Sequence, residues 1–220
     1  MTRYTFSDVT ASHTIEATFA AGVAPRAVFF GSSTTEGAGA SDTAHRWTSL
    51  LAACFGWTEV NQGEGGSTMT MIDTSGTSAE ARWPDAVVAQ NPDIVVVQYG
   101  ANDVMLGVPI GEPDQPQTFR NATHVVLGGI AAALPSVPIY AIEPQPADSL
   151  SANREPYDAA LAEGAAAFDL PIVHAGQAFP SGQYAADVTH LNDAGHSALA
   201  EYVAASIAAS ESWTMPACTF

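Results

Sequence analysis

The sequence predicts a three-layer α/β/α fold built on a parallel sheet, and two patterns support that prediction. Short apolar runs repeat along the 220 residues, as in strands that are buried on both faces of a parallel sheet. Between these runs lie segments whose apolar residues recur at helical spacing. This alternation is typical of a sheet that is covered by helices on both faces.

Five apolar runs are predicted to form the strands. Four of them are nearly continuous, as expected for buried parallel strands, and the second is a shorter candidate. They span residues 27–30, 59–61, 94–98, 138–142 and 172–174. Because a crossover between parallel strands is right-handed, few topologies remain for these elements.

Five segments have the periodicity of helices. The first begins after Ser41 and Asp42, which are predicted to cap it. Its apolar stripe comprises Trp47, Leu50, Leu51, Cys54 and Phe55. The other predicted helices span residues 79–90, 119–133, 154–168 and 194–209. Two stretches rich in proline and polar residues, 105–117 and 143–153, are predicted to be loops at the rim of a site.

The regular alternation starts after residue 22, so we divide the chain into two parts. Residues 23–220 are long enough for one α/β domain with its own core. Residues 1–22 contain two short alternating stretches, RYTFSDV and HTIEATF, which predict a β-rich extension or the remnant of an upstream module. They lack the pattern of a signal peptide. Their resemblance to β-sandwich repeats of bacterial surface proteins leaves a secreted or surface-attached parent open.

Composition limits the partners of the chain. Six arginines, no lysine and 23 acidic residues give a formal net charge of −17. This charge repels nucleic-acid backbones and anionic lipid surfaces, which favours a small-molecule or carbohydrate partner. The sequence contains no run of eighteen apolar residues, so no membrane span is predicted. Cys54 and Cys218 could pair, but the sequence decides neither that bond nor the oligomeric state.

The stretch FFGSSTTEGAG, residues 29–39, follows the first predicted strand at the sheet edge where open parallel sheets bind ligands. Two phosphate-binding patterns do not fit it. A P-loop requires a lysine, and the dinucleotide fingerprint has Asp42 where a third glycine should follow Gly37 and Gly39. The stretch is similar to the hydroxyl-rich loop that wraps the phosphate of FMN in flavodoxins, so FMN binding is one hypothesis.

The same loop can instead supply a serine nucleophile, which needs a base, a group that orients the base, and donors for an oxyanion. In DVTH, Asp187 precedes His190 by three residues, so its carboxylate can hold the imidazole in the tautomer that accepts a serine proton. GAND and EGGST follow two other strands. They offer the Asn102 side-chain amide and the Gly66 backbone N–H as donors.

These four motifs resemble those of the SGNH hydrolases, also called the GDSL esterase and lipase family, over residues 27 to about 209. The resemblance implies a flavodoxin-like α/β/α fold and a serine esterase with no cofactor. The residues that it implicates are Ser33, Asp187 and His190 for catalysis, with Ser33, Gly66 and Asn102 as the oxyanion hole.

One residue departs from the family pattern. Ser32 stands directly before the candidate nucleophile, where the family usually has aspartate. In the family, the aspartate at this position helps to shape the nucleophile loop and takes no part in the chemistry. We therefore expect that Ser32 alters the hydrogen bonding of the loop but leaves the enzyme active. The elbow G-x-S-x-G of the α/β-hydrolases is absent around Ser33.

Several residues outside the four motifs are predicted to have structural or pocket-lining roles. His196 is predicted to be a structural residue of the last helix. Met69, Met105 and Leu106 are candidates for lining an acyl pocket. No metal site is predicted, because four histidines have no partner at metal-ligand spacing: His13, His45, His124 and His174.

The sequence thus favours a serine esterase for acyl esters. An acidic surface suits a soluble substrate, so short acyl groups such as acetyl on a carbohydrate are expected. Two alternatives stay open: a flavodoxin-like FMN-binding protein and a catalytically silent binding module of the same fold.

Overall fold

The computed structural model describes residues 23–72 and 77–220. Its five strands form one parallel sheet in the order β2-β1-β3-β4-β5, which is the flavodoxin-like order. They are β1 (Arg26–Gly31), β2 (Thr58–Gly63), β3 (Ile94–Gln98), β4 (Ile139–Ile142) and β5 (Ile172–Val173). All five predicted strands of the α/β/α fold are confirmed. The two stretches predicted as strands within residues 1–22 lie outside the described residues.

Helices cover both faces of this sheet. Those of the described residues are α1 (Ser33–Glu36), α2 (Trp47–Phe55), α3 (Ala79–Ala86), α4 (Ala101–Leu106), α5 (Phe119–Ala133), α6 (Glu155–Ala167) and α7 (Asp193–Ser210). None of these helices is both long enough and apolar enough to cross a membrane.

Two predicted helices differ from the observed ones. The Asp42 carboxylate accepts the backbone N–H groups of Ala44 and His45, so it caps a 3-10 helix, and α2 starts only at Trp47. The predicted helix at 79–90 ends at Ala86 and is followed by a short 3-10 helix. Pro84 lacks the N–H that would bond to the preceding turn, which weakens α3 near its end.

The core is divided between the two faces of the sheet, because neighbouring residues of a strand point to opposite sides. Val28 and Phe30 of β1 pack in one half of the core, whose helical members come from α3 to α6. Ala27 and Phe29 pack in the other half, with α2 and α7. The three layers follow from this division.

Two long-range contacts fasten α2. A disulfide between Cys54 and Cys218 joins its end to the C-terminal segment, which settles the pairing left open by the sequence. At its start, the backbone N–H of Trp47 donates to Nδ1 of His196, and Nε2 of that ring donates to the carbonyl of Ala38, both over 3.2 Å. His196 is fully buried and has the structural role that was predicted.

Candidate active site

The candidate nucleophile lies where β1 gives way to α1. Ser33 is the first residue of α1 and is partly buried. The last residue of β1 must be a glycine, because a Cβ at Gly31 would collide with the Thr35 hydroxyl. That hydroxyl donates to Oε1 of Gln98, the last residue of β3, over 3.1 Å. These contacts hold the start of α1, and with it Ser33, at the carboxyl ends of β1 and β3.

A hydrogen-bonded chain of three side chains starts at Ser33. Oγ of Ser33 lies 3.0 Å from Nε2 of His190, and Nδ1 of the same ring lies 2.8 Å from Oδ2 of Asp187. An ionised carboxylate only accepts hydrogen bonds, so Nδ1 carries a proton. Nε2 of the neutral ring is then free to accept the hydroxyl proton of Ser33.

The Asp187 carboxylate is stabilised in its charged form. The His190 side chain lowers its pKa most, and the backbone N–H groups of His190 and Thr189, each 2.7 Å from Oδ1, add to the effect. Together they hold the pKa of Asp187 at about 2. The carboxylate therefore stays charged at neutral and mildly acidic pH, although 55% of the side chain is exposed.

Asn102 and Asp103 fasten the loop after β2 to the start of α4. Nδ2 of Asn102 donates to the carbonyl of Ser67 over 2.7 Å. The fully buried Asp103 carboxylate accepts the backbone N–H groups of Met69 and Thr70, at 2.8 and 3.1 Å. Burial raises the pKa of Asp103, while these two bonds favour its charged form. Nδ2 of Asn102 has a second hydrogen for another acceptor.

Gly66 is adjacent to Ser67, so the Asn102 bond also fixes the second candidate oxyanion donor. The residue is exposed and has a φ of 77°, a conformation that glycine adopts readily. A Cβ at this position would meet no atom within 4 Å. Its backbone conformation, and not crowding, is the reason for a glycine here.

The structure therefore brings Ser33, His190 and Asp187 into direct contact and ties Asn102 to the Gly66 loop. Ser32, which precedes the candidate nucleophile, is buried, and its carbonyl accepts the N–H of Glu36 over 2.9 Å. It lines a small hollow with residues that follow β3 and β4, among them Tyr99, Ala101, Pro144 and Gln145.

The candidates for an acyl pocket separate into two groups. Met69 is fully buried in the core, and its backbone N–H donates to the Asp103 carboxylate, so the prediction that it lines a pocket is wrong. Met105 and Leu106 are 43% and 61% exposed, and Sδ of Met105 lies 3.8 Å from the Thr189 hydroxyl. Met105 therefore lies beside the segment that carries His190, and both side chains stay candidates for the acyl pocket.

Two other histidines contact carboxylates. Nδ1 of His45 lies 2.7 Å from Oδ1 of Asp42, and Nδ1 of His174 lies 2.7 Å from Oε1 of Glu143. Within residues 23–72 and 77–220, no group of three or more histidine, cysteine, aspartate or glutamate side chains is close enough to hold a metal ion.

The residues that hold the Asp187–His190 segment in place were not predicted from the sequence. The side-chain amide of Gln145 donates to the carbonyl of Thr189, and the backbone N–H of Ser149 donates to the carbonyl of Val188, each over 3.0 Å. Both donors lie in the predicted rim loop at 143–153. Its position after the carboxyl end of β4 was the available signal.

Comparisons with known proteins agree with this architecture. The sequence model of the GDSL-like lipase/acylhydrolase family matches residues 29–198. A crystal structure of a protein from Lactobacillus plantarum is 22% identical, with 86% of this chain and 99% of that chain covered and a TM-score of 0.73. No curated protein sequence matches this chain.

Two further solved structures are named as esterases. Est24, a carbohydrate acetylesterase from Sinorhizobium meliloti, is 17% identical, with 84% of this chain and 99% of that chain covered and a TM-score of 0.67. A two-domain esterase active on acetylated mannans is 18% identical, with 90% of this chain but only 52% of that chain covered and a TM-score of 0.65.

The five-stranded parallel sheet, flanked by helices, defines the fold as α/β/α, and the family match defines the class of this protein as a hydrolase of the lipase/acylhydrolase type. The chain belongs to the GDSL-like lipase/acylhydrolase family.

Proposed function

We propose that this protein is a serine esterase that hydrolyses acyl esters through an acyl-enzyme on Ser33. The observation that carries the proposal is the chain from Ser33 through His190 to Asp187, with heavy-atom distances of 3.0 and 2.8 Å. A base within hydrogen-bond distance of a hydroxyl, itself oriented by a carboxylate, is the arrangement that activates serine.

In the first half-reaction, Oγ of Ser33 attacks the carbonyl carbon of the ester. Nε2 of His190 takes the hydroxyl proton, and the electron pair of the C=O bond moves onto oxygen. When the tetrahedral intermediate collapses, the bond to the alcohol oxygen breaks. That oxygen receives the proton from Nε2, so the alcohol leaves and the acyl group stays on Ser33.

In the second half-reaction, water attacks the acyl carbon and gives its proton to His190. The bond to Oγ breaks, Ser33 regains the proton, and the carboxylic acid is released. Asp187 remains charged throughout, because its pKa of about 2 lies far below neutral pH. It keeps Nδ1 protonated and stabilises the imidazolium.

Three groups are proposed to stabilise the oxyanion: the backbone N–H of Ser33, the backbone N–H of Gly66 and the side-chain amide of Asn102. The bond of Asn102 to Ser67 uses one amide hydrogen and leaves the other for the developing charge. Donors that are already oriented need no rearrangement as the charge forms, which is why such groups lower the barrier.

The substrate that we favour carries a short acyl group, such as acetyl on a carbohydrate. Two observations support this choice. The formal net charge of −17 disfavours an anionic lipid surface. Two structural neighbours are a carbohydrate acetylesterase and an esterase active on acetylated mannans.

A substrate panel tests this proposal. The purified protein would be assayed with p-nitrophenyl acetate, butyrate and octanoate, and with acetylated manno- and xylo-oligosaccharides. We expect the highest kcat/KM for acetyl esters and acetate release from the oligosaccharides. Ser33→Ala is the inactive control.

The substrate panel, together with a titration of the protein with FMN, distinguishes the alternatives. No turnover of any ester would favour a silent binding module. Saturable binding of added FMN at a hydroxyl-rich loop without turnover would favour the flavodoxin-like alternative. A kcat/KM that rises toward octanoate would overturn the choice of a short acyl group while leaving the serine mechanism standing.

A further inference from the structure

We infer that Gln145 is a positioning residue for the proposed reaction: its side-chain amide, supported by Arg154, holds the segment that carries Asp187 and His190 against Ser33. This inference rests on the proposed function. Neither Gln145 nor Arg154 is assigned a contact with the substrate.

The segment that carries Asp187 and His190 has little regular structure of its own. Between the 3-10 helix at Ala175–Gln177 and the start of α7, its secondary structure is limited to turns and one isolated bridge, Ala185 to Leu191. Its internal bonds, such as the 2.8 Å bond from the Ala186 N–H to the His190 carbonyl, shape the turn. They do not fix the turn relative to Ser33, so contacts from outside the segment must do so.

The loop between β4 and α6 supplies such contacts. Nε2 of Gln145 donates to the Thr189 carbonyl over 3.0 Å. The Thr189 hydroxyl bonds to Oγ of Ser149, and the Ser149 N–H donates to the Val188 carbonyl, both over 3.0 Å. Val188 and Thr189 are the two residues between Asp187 and His190. The loop therefore bonds to the segment directly beside His190, whose position determines the distance between its imidazole and the Ser33 hydroxyl.

Gln145 is itself held rigidly. The residue is 1% exposed. Nη1 of Arg154 donates to its carbonyl over 3.2 Å, and Nη2 donates to the carbonyl of Pro144 over 2.8 Å. Nε of the same guanidinium bonds to Oδ2 of Asp158 over 2.7 Å, one turn further along α6. Charge-assisted, forked bonds of this kind restrict both partners.

The chain after β5 also packs closely against one side of Arg154. A Cβ at Gly176 would collide with its guanidinium group, so the chain after β5 packs directly against it. Burial raises the pKa of Asp158, and the Arg154 guanidinium opposes that effect. A continuous series of hydrogen bonds thus connects α6, through Arg154 and Gln145, to Thr189.

Loss of the Gln145 amide would remove one of the three bonds that the loop between β4 and α6 makes to residues 188–189 and leave the other two. The segment should therefore remain folded but less precisely placed. A displacement of about 1 Å between reacting groups can lower a rate by about 10²-fold. The expected defect is in kcat, because the groups that bind substrate are unchanged.

The test compares Gln145→Met with Tyr140→Phe. Methionine keeps the length and approximate volume of glutamine but cannot donate. The control variant removes one side-chain hydrogen bond from β4, that of the Tyr140 hydroxyl to Glu211, and this bond involves none of residues 187–190. We expect kcat to fall by about tenfold to hundredfold in Gln145→Met with KM unchanged. Tyr140→Phe should keep the parent kcat at a similar loss of Tm.

Two more readouts separate positioning from general stability. In the His190→Ala background, Gln145→Met should cause no further loss of the residual rate, because the residue acts through His190. The downfield proton resonance of His190 Nδ1–H should exchange faster with water in Gln145→Met than in Tyr140→Phe. If Gln145→Met does not fold, Arg154→Lys replaces it. Lysine keeps a charge near Asp158 but loses the forked donors, so a smaller fall in kcat is expected.

A parent-like kcat in Gln145→Met overturns the inference, as does an equal loss of kcat in Tyr140→Phe or an additive loss in the His190→Ala background. Failure of the proposed function looks different, because Ser33→Ala and His190→Ala would then retain parental activity. Loss of activity in those two variants with a parent-like Gln145→Met would refute the positioning role alone.

Discussion

Nε2 of His190 and Oγ of Ser33 are 3.0 Å apart, although 157 positions separate them in the chain. Neighbouring contacts explain how this distance is maintained. The backbone N–H of Ser41 donates to the Asp193 carboxylate over 2.7 Å, and His196 bonds to the Ala38 carbonyl. These bonds thus connect the loop after Ser33 to the start of α7.

Ser33 is predicted to be the single serine that reacts with a fluorophosphonate probe. Only a serine with an adjacent base attacks phosphorus readily, and His190 lies within hydrogen-bond distance of Ser33. In-gel fluorescence and peptide mapping measure the reaction. Equal labelling of Ser33→Ala would show that another group reacts.

Asn102→Ala is expected to lower kcat by about 10²–10³-fold with little change in KM, because the proposed amide bond strengthens only as charge develops. Since Asn102 also bonds to Ser67, Tm must be measured in parallel. A variant with parental kcat would remove Asn102 from the oxyanion hole, and a variant with only a lowered Tm would give it a structural role alone.

His190→Ala should be more damaging than Asp187→Asn. The histidine moves a proton in both half-reactions, whereas the carboxylate orients and stabilises the ring. We expect kcat in Asp187→Asn to be greatly reduced but still above that of His190→Ala, with KM largely preserved. Steady-state kinetics after EDTA treatment compares the two variants. The DVTH assignment fails if His190→Ala is fully active or if the parent depends on added metal.

His196 is expected to destabilise the fold in acid. Burial lowers its pKa below the ordinary value of about 6.5. As the pH falls through 6.5, the unfolded chain takes up a proton that the folded chain resists, so stability is full above that pH and is lost below it. His196→Gln should have a lower Tm at pH near 8, where its hydrogen bonds are missing, but a weaker decline of Tm toward acid.

His45→Gln is the matched control for that titration. The Asp42 carboxylate raises the pKa of the exposed His45, so its contribution to stability is present in acid and is lost as the pH rises. Its effect on the pH dependence of Tm therefore has the opposite sign. Parallel Tm curves for the parent and His196→Gln would refute the assignment of a neutral, buried imidazole.

Deletion of residues 1–22 is expected to leave kcat and KM nearly unchanged. All five proposed site residues lie between Ser33 and His190. The assay compares the full chain with residues 23–220 at equal concentration. A large loss of kcat or of solubility would show that the N-terminal part belongs to the catalytic domain.

Local patterns in the sequence were sufficient to predict most of the fold. Buried parallel strands consist of continuous apolar residues, so β1 and β3 to β5 were readily identified. Asp187 and His190 are three residues apart, which makes their contact a local property of one turn. The order of the strands then brings that turn to the edge where Ser33 lies.

Contacts between irregular segments could not be predicted in the same way. The bond from Gln145 to Thr189 joins two loops that are 44 positions apart, and no periodicity links them. Met69 was a candidate for the acyl pocket, but its backbone N–H donates to the buried Asp103 carboxylate and its side chain lies in the core. Asp42 caps a 3-10 helix because its carboxylate captures the nearest free N–H groups before the apolar stripe begins.

The central claim is that an acyl group is transferred to Ser33, and trapping the intermediate tests it most directly. The parent and Asp187→Asn would be mixed with p-nitrophenyl acetate, quenched in acid within the first turnover, digested and analysed by peptide mass spectrometry. We predict one acetyl group on the peptide that contains Ser33, with more of it retained in Asp187→Asn, and none in Ser33→Ala. Acetyl on a different residue, or hydrolysis by Ser33→Ala at the parental rate, would contradict the mechanism.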